Sequence, residues 1–291
     1  MLHSDYKRTL EEIIDIYIYE PTIRDIYVEG IRDKAFFEWF IDELDIDNLS
    51  VKLIENLIIP SKIESKFEVD TNSNKKNKIL LMAHELEIRQ PTLENARFLA
   101  DKDFDDFLLK KYKCKFLLYT DYTCMEMYLF NPEILKNFFR WQLKKLPKSP
   151  EKILQEFTNI LEKVFLIRLA RILLDFDFII KDFSVYLNIA SNNLVFDSQK
   201  MIKTLLKNQA EKIKLLNRKL IELEQKLTME PRNQMYKWDF VCLLKFYYHK
   251  QGEHVRKRSD QAILDSLYQN LKIDYIRDEQ LFKIILDWCN Q

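Results

Sequence analysis

Ile23-Arg24-Asp25-Ile26-Tyr27-Val28-Glu29-Gly30 is the stretch on which the fold class turns. Its β-branched and aromatic residues predict a strand over 23–28, ended by Glu29 and Gly30. Ala35, Phe36, Phe37, Trp39, Phe40, Ile41 and Leu44 then recur at helical spacing, so strand, acidic turn and helix follow one another directly. Upstream, residues 5–18 read as a helix that stops before Pro21. Downstream the alternation continues with a strand over 51–59, a polar loop at 71–78, a helix over 79–89, a strand over 96–100 and another over 116–119. Strands alternating with helices imply an α/β fold with a parallel sheet, whose ligands sit outside the carboxyl ends of the strands. Glu29, the Asp101-Lys102-Asp103 stretch and Asp121 all fall at such ends.

The chain has 291 residues, enough for one or two domains with a buried core. It has only two glycines, Gly30 and Gly252, which excludes a Walker A loop and a dinucleotide fingerprint, because both need several glycines for close backbone approach to phosphates. Net charge is zero, yet residues 1–106 carry 14 basic and 24 acidic side chains and the remainder 32 and 22. An acidic first part and a basic second part suggest separate tasks, with nucleic acid as a candidate partner of the second. The first residues lack the order of a signal peptide, and the most apolar stretch, 164–183, is broken by Arg168, Arg171, Asp175, Asp177 and Lys181. The expectation is a cytoplasmic protein without a membrane segment. Cys114, Cys124, Cys242 and Cys289 show no zinc spacing and read as reduced thiols.

Beyond Pro132 the pattern is helical almost throughout, and the expected division is an α/β domain over 1–135 and a helical domain over 136–291. One long helix is expected over 199–229, where Leu206, Ile213, Leu216, Leu220, Leu223 and Leu227 form a seam suited either to a hairpin or to association.

Glu29 at a strand end and Asp33 on the next helical turn, with Asp101 and Asp103 at i and i+2 of an extended strand end, are expected to make one pocket of oxygen donors. Hard divalent cations take such donors, and four adjacent carboxylates would repel one another without one. Acidic strand ends without chemistry are the alternative. Asp105, Asp106 and Asp121 read as turn residues or helix caps.

Val28-Glu29-Gly30-Ile31-Arg32-Asp33 and Asp101-Lys102-Asp103 resemble, in order and separation, the glutamate motif and aspartate pair of the Toprim fold. Tyr119-Thr120-Asp121-Tyr122, with Glu126 and Tyr128, resembles a signature of the Toprim family that includes the effector nuclease of the PARIS anti-phage defence system, which is OLD-like. The resemblance covers roughly residues 23–130. It departs from the family where a Gly-His-Asp stretch is expected and Lys237-Trp238-Asp239 stands, leaving Asp239 as the one match. It implies a metal-dependent endoribonuclease that cleaves tRNA as a toxic effector, with Glu29, Asp33, Asp101 and Asp103 holding Mg²⁺ or Mn²⁺, two ions in all. Glu126 joins these four as a catalytic candidate. The resemblance further implies a separate ABC-type ATPase subunit that holds the effector inactive, and a homodimer once it is released. A DNA-nicking nuclease of the OLD type and an inactive Toprim interaction module are the alternatives.

Two metals about 4 Å apart can both generate hydroxide and neutralise the developing charge in phosphodiester hydrolysis. A lysine could hold a phosphate or protonate the leaving oxygen; Lys102 is closest in sequence, although strand alternation points it away. Between Arg232 and Arg258 stand seven Lys/Arg, two acids and six aromatics, a composition suited to looped or single-stranded RNA or, equally, to a helix with an aromatic core face. Lys250, Arg256, Lys257 and Arg258 are the expected phosphate contacts.

Overall fold

The computed structural model describes residues 7–59, 74–109, 112–140, 148–227, 230–251 and 258–290. The chain divides into two compact units, Met1–Asp121 with Ile273–Gln291, and Tyr122–Lys272. The single boundary expected at 135/136 is therefore replaced by two crossings, and the C-terminal segment belongs with the first unit.

The first unit is α/β. A short β1 (Arg8–Thr9) leads into α1 (Leu10–Tyr19), which starts at a Thr9–Glu12 capping box. Then come β2 (Arg24–Val28), α2 (Ile31–Glu43), β3 (Leu49–Leu53), β4 (Leu57–Ile58), α3 (Lys75–Arg89), β5 (Ala96–Ala100), the single turn α4 (Asp105–Leu108) and β6 (Leu117–Tyr119). The strands β3-β2-β5-β6 form a parallel sheet in that order, with Asp25 opposite Ala96 and Tyr27 opposite Phe98; β1 and β4 pair separately. The strand expected over 51–59 is thus two short strands, parted by a 3₁₀ turn at Ile54–Asn56. The helix expected from residue 79 begins at Lys75 because Asn74 caps it, accepting the Asn77 N–H at 3.1 Å.

From β2 the chain runs to β3 on one side and later to β5 on the other, so the ends of β2 and β5 flank the crevice where parallel sheets bind ligands. One core layer joins Tyr27, Phe98 and Leu117 of the sheet to Leu10, Ile13 and Tyr17 of α1 and Ile79, Met82 and Leu86 of α3. In a second layer Phe36, Phe37 and Phe40 of α2 pack on Phe282 of the last helix, with ring centroids 5.0–5.9 Å apart.

The second unit holds α5 (Pro132–Arg140), α6 (Pro150–Leu173), the hairpin β7 (Leu187–Ala190) and β8 (Asn193–Phe196), α7 (Ser198–Leu205), α8 (Ala210–Glu224), α9 (Lys237–Gln251) and α10 (Asp260–Tyr268). Ser191 and Asn192, both at positive φ, make the tight turn of the hairpin, which the helical reading of this region did not anticipate. The single helix expected over 199–229 is two helices, because Lys207 and Asn208 sit at φ 49° and 57° and reverse the chain. Leu216 and Leu223 are buried (0% and 2% exposed) and α8 packs on α6, so the seam is intramolecular. The last helix, α11 (Gln280–Cys289), belongs to the first unit. No helix among the described residues is long and apolar enough to cross a membrane.

Candidate active site

Glu29 directly follows β2 and Asp101 directly follows β5, so adjacent parallel strands deliver both to one edge of the sheet. The Glu29 carboxylate accepts the backbone N–H of Asp101, while its Oε1 atom is buried with no hydrogen-bond partner. Burial first, then the negative charges of Asp103 and Asp33, push the Glu29 pKa up to about 7; Lys76 and the Asp101 amide oppose the shift only in part.

Asp33 is the third residue of α2, and its Oδ2 accepts the Gly30 N–H at 2.9 Å. A Cβ on Gly30 would stand 3.2 Å from that oxygen, so glycine permits this close return of the carboxylate. Asp103 is not on an extended strand end as the spacing implied. β5 ends at Ala100, and Asp103 adopts the left-handed region at φ 48°, which turns its side chain towards α3. There Lys76 binds it at 2.9 Å and binds Asp105 at 2.7 Å. Burial lowers the Lys76 pKa, but Asp103 and Asp105 outweigh it and hold the ammonium above the ordinary lysine range.

The Asp103 and Asp33 carboxylates therefore act on Glu29 electrostatically, but each is engaged by its own partner. Among the described residues no group of three or more His, Cys, Asp or Glu side chains is arranged to hold a metal ion. Asp33 is turned back to cap α2, and Asp103 is turned to Lys76 rather than lying on an extended strand end. In kind the donors still fit a hard divalent cation. A cation at the unpartnered Glu29 oxygen would offset the burial and the neighbouring negative charges that raise its pKa.

Lys76 is the residue that sequence reading missed. Its signal was Asn74, whose cap moves residues 75–78 out of the expected loop and onto a helix. Lys102 instead donates its backbone N–H to the Thr120 hydroxyl at 3.2 Å and its ammonium to the Asp121 carbonyl, so it is committed to the end of β6. Asp121 accepts the Leu281 N–H in the first turn of α11 at 3.1 Å, one of the two roles its sequence position suggested.

Glu126 lies in the second unit, buried, with Oε1 accepting the Lys237 ammonium at 2.9 Å and Oε2 unpartnered. Tyr122 and Tyr128 pack edge to face in the same unit, and Arg232 lies 3.7 Å above the Tyr122 ring. Asp239 is a structural residue, buried in a two-pronged ion pair with Arg168 at 2.7 Å for each oxygen. Arg258 donates to the Ser266 hydroxyl of α10 at 3.0 Å. Lys250 is exposed at the end of α9, whereas Arg256 and Lys257 lie outside the described residues.

Compared with protein-family models and with curated protein sequences, the chain matches none.

Proposed function

We propose that the chain is a Mg²⁺-dependent phosphodiesterase of the Toprim type that cleaves RNA, using Glu29, Asp33, Asp101 and Asp103. The observation that carries this reading is the buried, unpartnered Glu29 oxygen at the β2–β5 crevice, with its pKa pushed up to about 7 by burial and neighbouring carboxylates. A water-shielded carboxylate oxygen with a perturbed pKa at the carboxyl ends of parallel strands is a functional-site candidate on physical grounds.

Glu29, Asp33, Asp101 and Asp103 would hold the metal, which when bound supplies positive charge to the phosphoryl oxygens and acidifies water. A metal at Asp103 would compete with the Lys76 ammonium, whereas Asp33 keeps a second oxygen beside the one that accepts the Gly30 N–H. Lys76, which stays paired with Asp105, would add positive charge beside a substrate phosphate. The resemblance to defence-system effectors, carried by residues 23–130, supports tRNA as the substrate, a separate ATPase as the restraining partner and a homodimer as the active form.

The test is incubation of purified protein with tRNA and with duplex DNA in Mg²⁺, in Mn²⁺ and in chelator. Metal-dependent cleavage of tRNA, lost in Glu29→Gln, supports the proposal; nicking of duplex DNA with intact tRNA replaces RNA by DNA as the substrate. A second reading, an interaction module without catalysis, is favoured by one observation: Lys76 pairs with both Asp103 and Asp105 and offsets part of their charge. Absence of both cleavage and metal-induced thermal stabilisation would establish that reading instead.

A further inference from the structure

Six aromatics of the basic segment were candidates for stacking on bases, and the structure divides them. Phe240, Tyr247 and Tyr248 are buried in the helical core, Tyr236 lies beneath the Arg168 guanidinium at 5.3 Å, and Trp238 and Phe246 remain towards solvent. Trp238 is 40% exposed. An indole this open keeps apolar ring surface available to a partner.

Trp238, Lys245, Phe246 and Lys250 fall on one face of α9 at helical spacing, opposite the face that fills the core. They line a cleft of about 480 Å³ whose other walls are Lys181 and Asp182, just before the 3₁₀ turn at Ser184–Tyr186, and Asp260 at the start of α10. Both carboxylates are already engaged. Asp260 pairs with Lys245 at 2.7 Å, and Asp182 accepts the Ser184 N–H at 2.8 Å and the Cys242 thiol at 3.2 Å. Among the described residues Lys181 and Lys250 have no carboxylate partner, and Lys250 sits 5.7 Å from the Phe246 ring centroid. The cleft thus offers the part-exposed Trp238 indole, whose ring centroid lies 5.7 Å from the Lys237 ammonium, with Lys181 and Lys250 also lining it.

We infer that this cleft binds an unpaired nucleobase of an RNA strand, stacked on Trp238, with the flanking phosphates held by Lys181 and Lys250. Stacking on an indole requires a base taken out of a duplex, because a paired and stacked base presents no open face. An acidic peptide would satisfy the lysines but leave the indole unused. The inference rests on the RNA reading for the identity of its ligand, and it predicts binding of looped or single-stranded RNA over duplex.

The experiment measures fluorescence anisotropy of a labelled single-stranded RNA 12-mer with the full chain in chelator, so that no cleavage intervenes. Trp238→Leu should weaken binding about tenfold, Trp238→Phe should restore most of it, and both variants should melt as the wild type does. Lys181→Ala with Lys250→Ala should weaken binding and flatten the logarithmic salt slope by roughly 1.4, two single-strand phosphate contacts. Competition by a mononucleotide shows whether a free nucleotide suffices, and the 12-mer should compete at least tenfold better. Unchanged affinity in Trp238→Leu, equal binding of a duplex of the same length, or displacement by an oligoglutamate at equal charge overturns the inference. Failure of the nuclease reading is seen separately: Glu29→Gln would leave cleavage unaltered while Trp238-dependent binding persists.

Discussion

Glu29 carries more of the chemistry than any other side chain, and its protonation makes specific demands. Its folded pKa of about 7 lies above the ordinary glutamate value, so the folded state binds a proton more tightly than the unfolded chain does. The sign follows: the stabilisation is complete below about pH 4.5 and is lost as pH rises through 7, amounting to at most about 3 kcal/mol. Metal-free protein should therefore lose thermal stability between pH 5 and 8, and Glu29→Gln should remove that part of the loss, as pH-dependent melting curves of the two will show. Added Mg²⁺ should raise the wild-type melting temperature at pH 8 and raise that of Glu29→Gln much less. Lys76 gives the complementary prediction. Lys76→Met leaves Asp103 and Asp105 uncompensated, so the metal-free protein should lose about 1–3 kcal/mol, and the Mg²⁺-induced rise in melting temperature should exceed that of the wild type. Equal metal-induced rises in wild type and Lys76→Met would show that the ammonium does not compete for Asp103. Glu29 and Asp101 were legible in sequence because strand ends carry them, and a strand end is a strong signal. Asp103 was legible as an acid but not in direction, since its left-handed backbone answers to Lys76, 27 positions earlier, and no local pattern records that partnership.

At the scale of elements, the strands of the parallel sheet were legible within a residue or two at β2 and β5, where runs such as Ala96–Ala100 are buried on both faces. The break between α7 and α8 was not legible. It contains neither glycine nor proline, and Lys207 takes the left-handed region only because the packing of α8 on α6 compensates for it. The leucine repeat over 206–227 carried the same 3.6-residue signal that one continuous helix would carry, so periodicity could not separate a hairpin from an association seam. Burial separates them. Leu216→Ala and Leu223→Ala should each cost about 2–5 kcal/mol of stability and leave the oligomeric state of the folded fraction unchanged. Denaturant unfolding with light scattering on the same samples checks both halves; dissociation without loss of stability would return these leucines to an interface. The β7–β8 hairpin escaped the sequence for a related reason: its turn uses Ser191-Asn192, without the glycine that usually marks a two-residue loop.

At the scale of the whole chain, the second unit is inserted into the first, between Asp121 and Ile273. The first unit is complete only with α11. Phe282 joins Phe36, Phe37 and Phe40; Trp288 donates to the Glu94 carbonyl at 2.6 Å and lies under Arg97; and Asp121 caps the helix. A division by sequence at one point could not reveal this, because α11 carries no motif of its own and its place depends on aromatics some 240 positions earlier. With α11 included, the first unit is about 140 residues, large enough to bury its own core. Leu281 is held by Asp121, and the eight residues back to Ile273 span at most about 28 Å, so a Gly/Ser linker of about ten residues can replace 122–272. The excised unit should fold cooperatively and keep the Mg²⁺-induced, Glu29-dependent rise in melting temperature, because its four carboxylates and Lys76 all lie within it. The same unit shortened by residues 273–291 should lose cooperative unfolding, since α2 would expose its phenylalanines. Circular dichroism melts of the two proteins, with and without Mg²⁺, decide the matter: equal folding of both would show that α11 is dispensable, and a folded unit with no metal response would mean that the proposed ligands do not suffice by themselves.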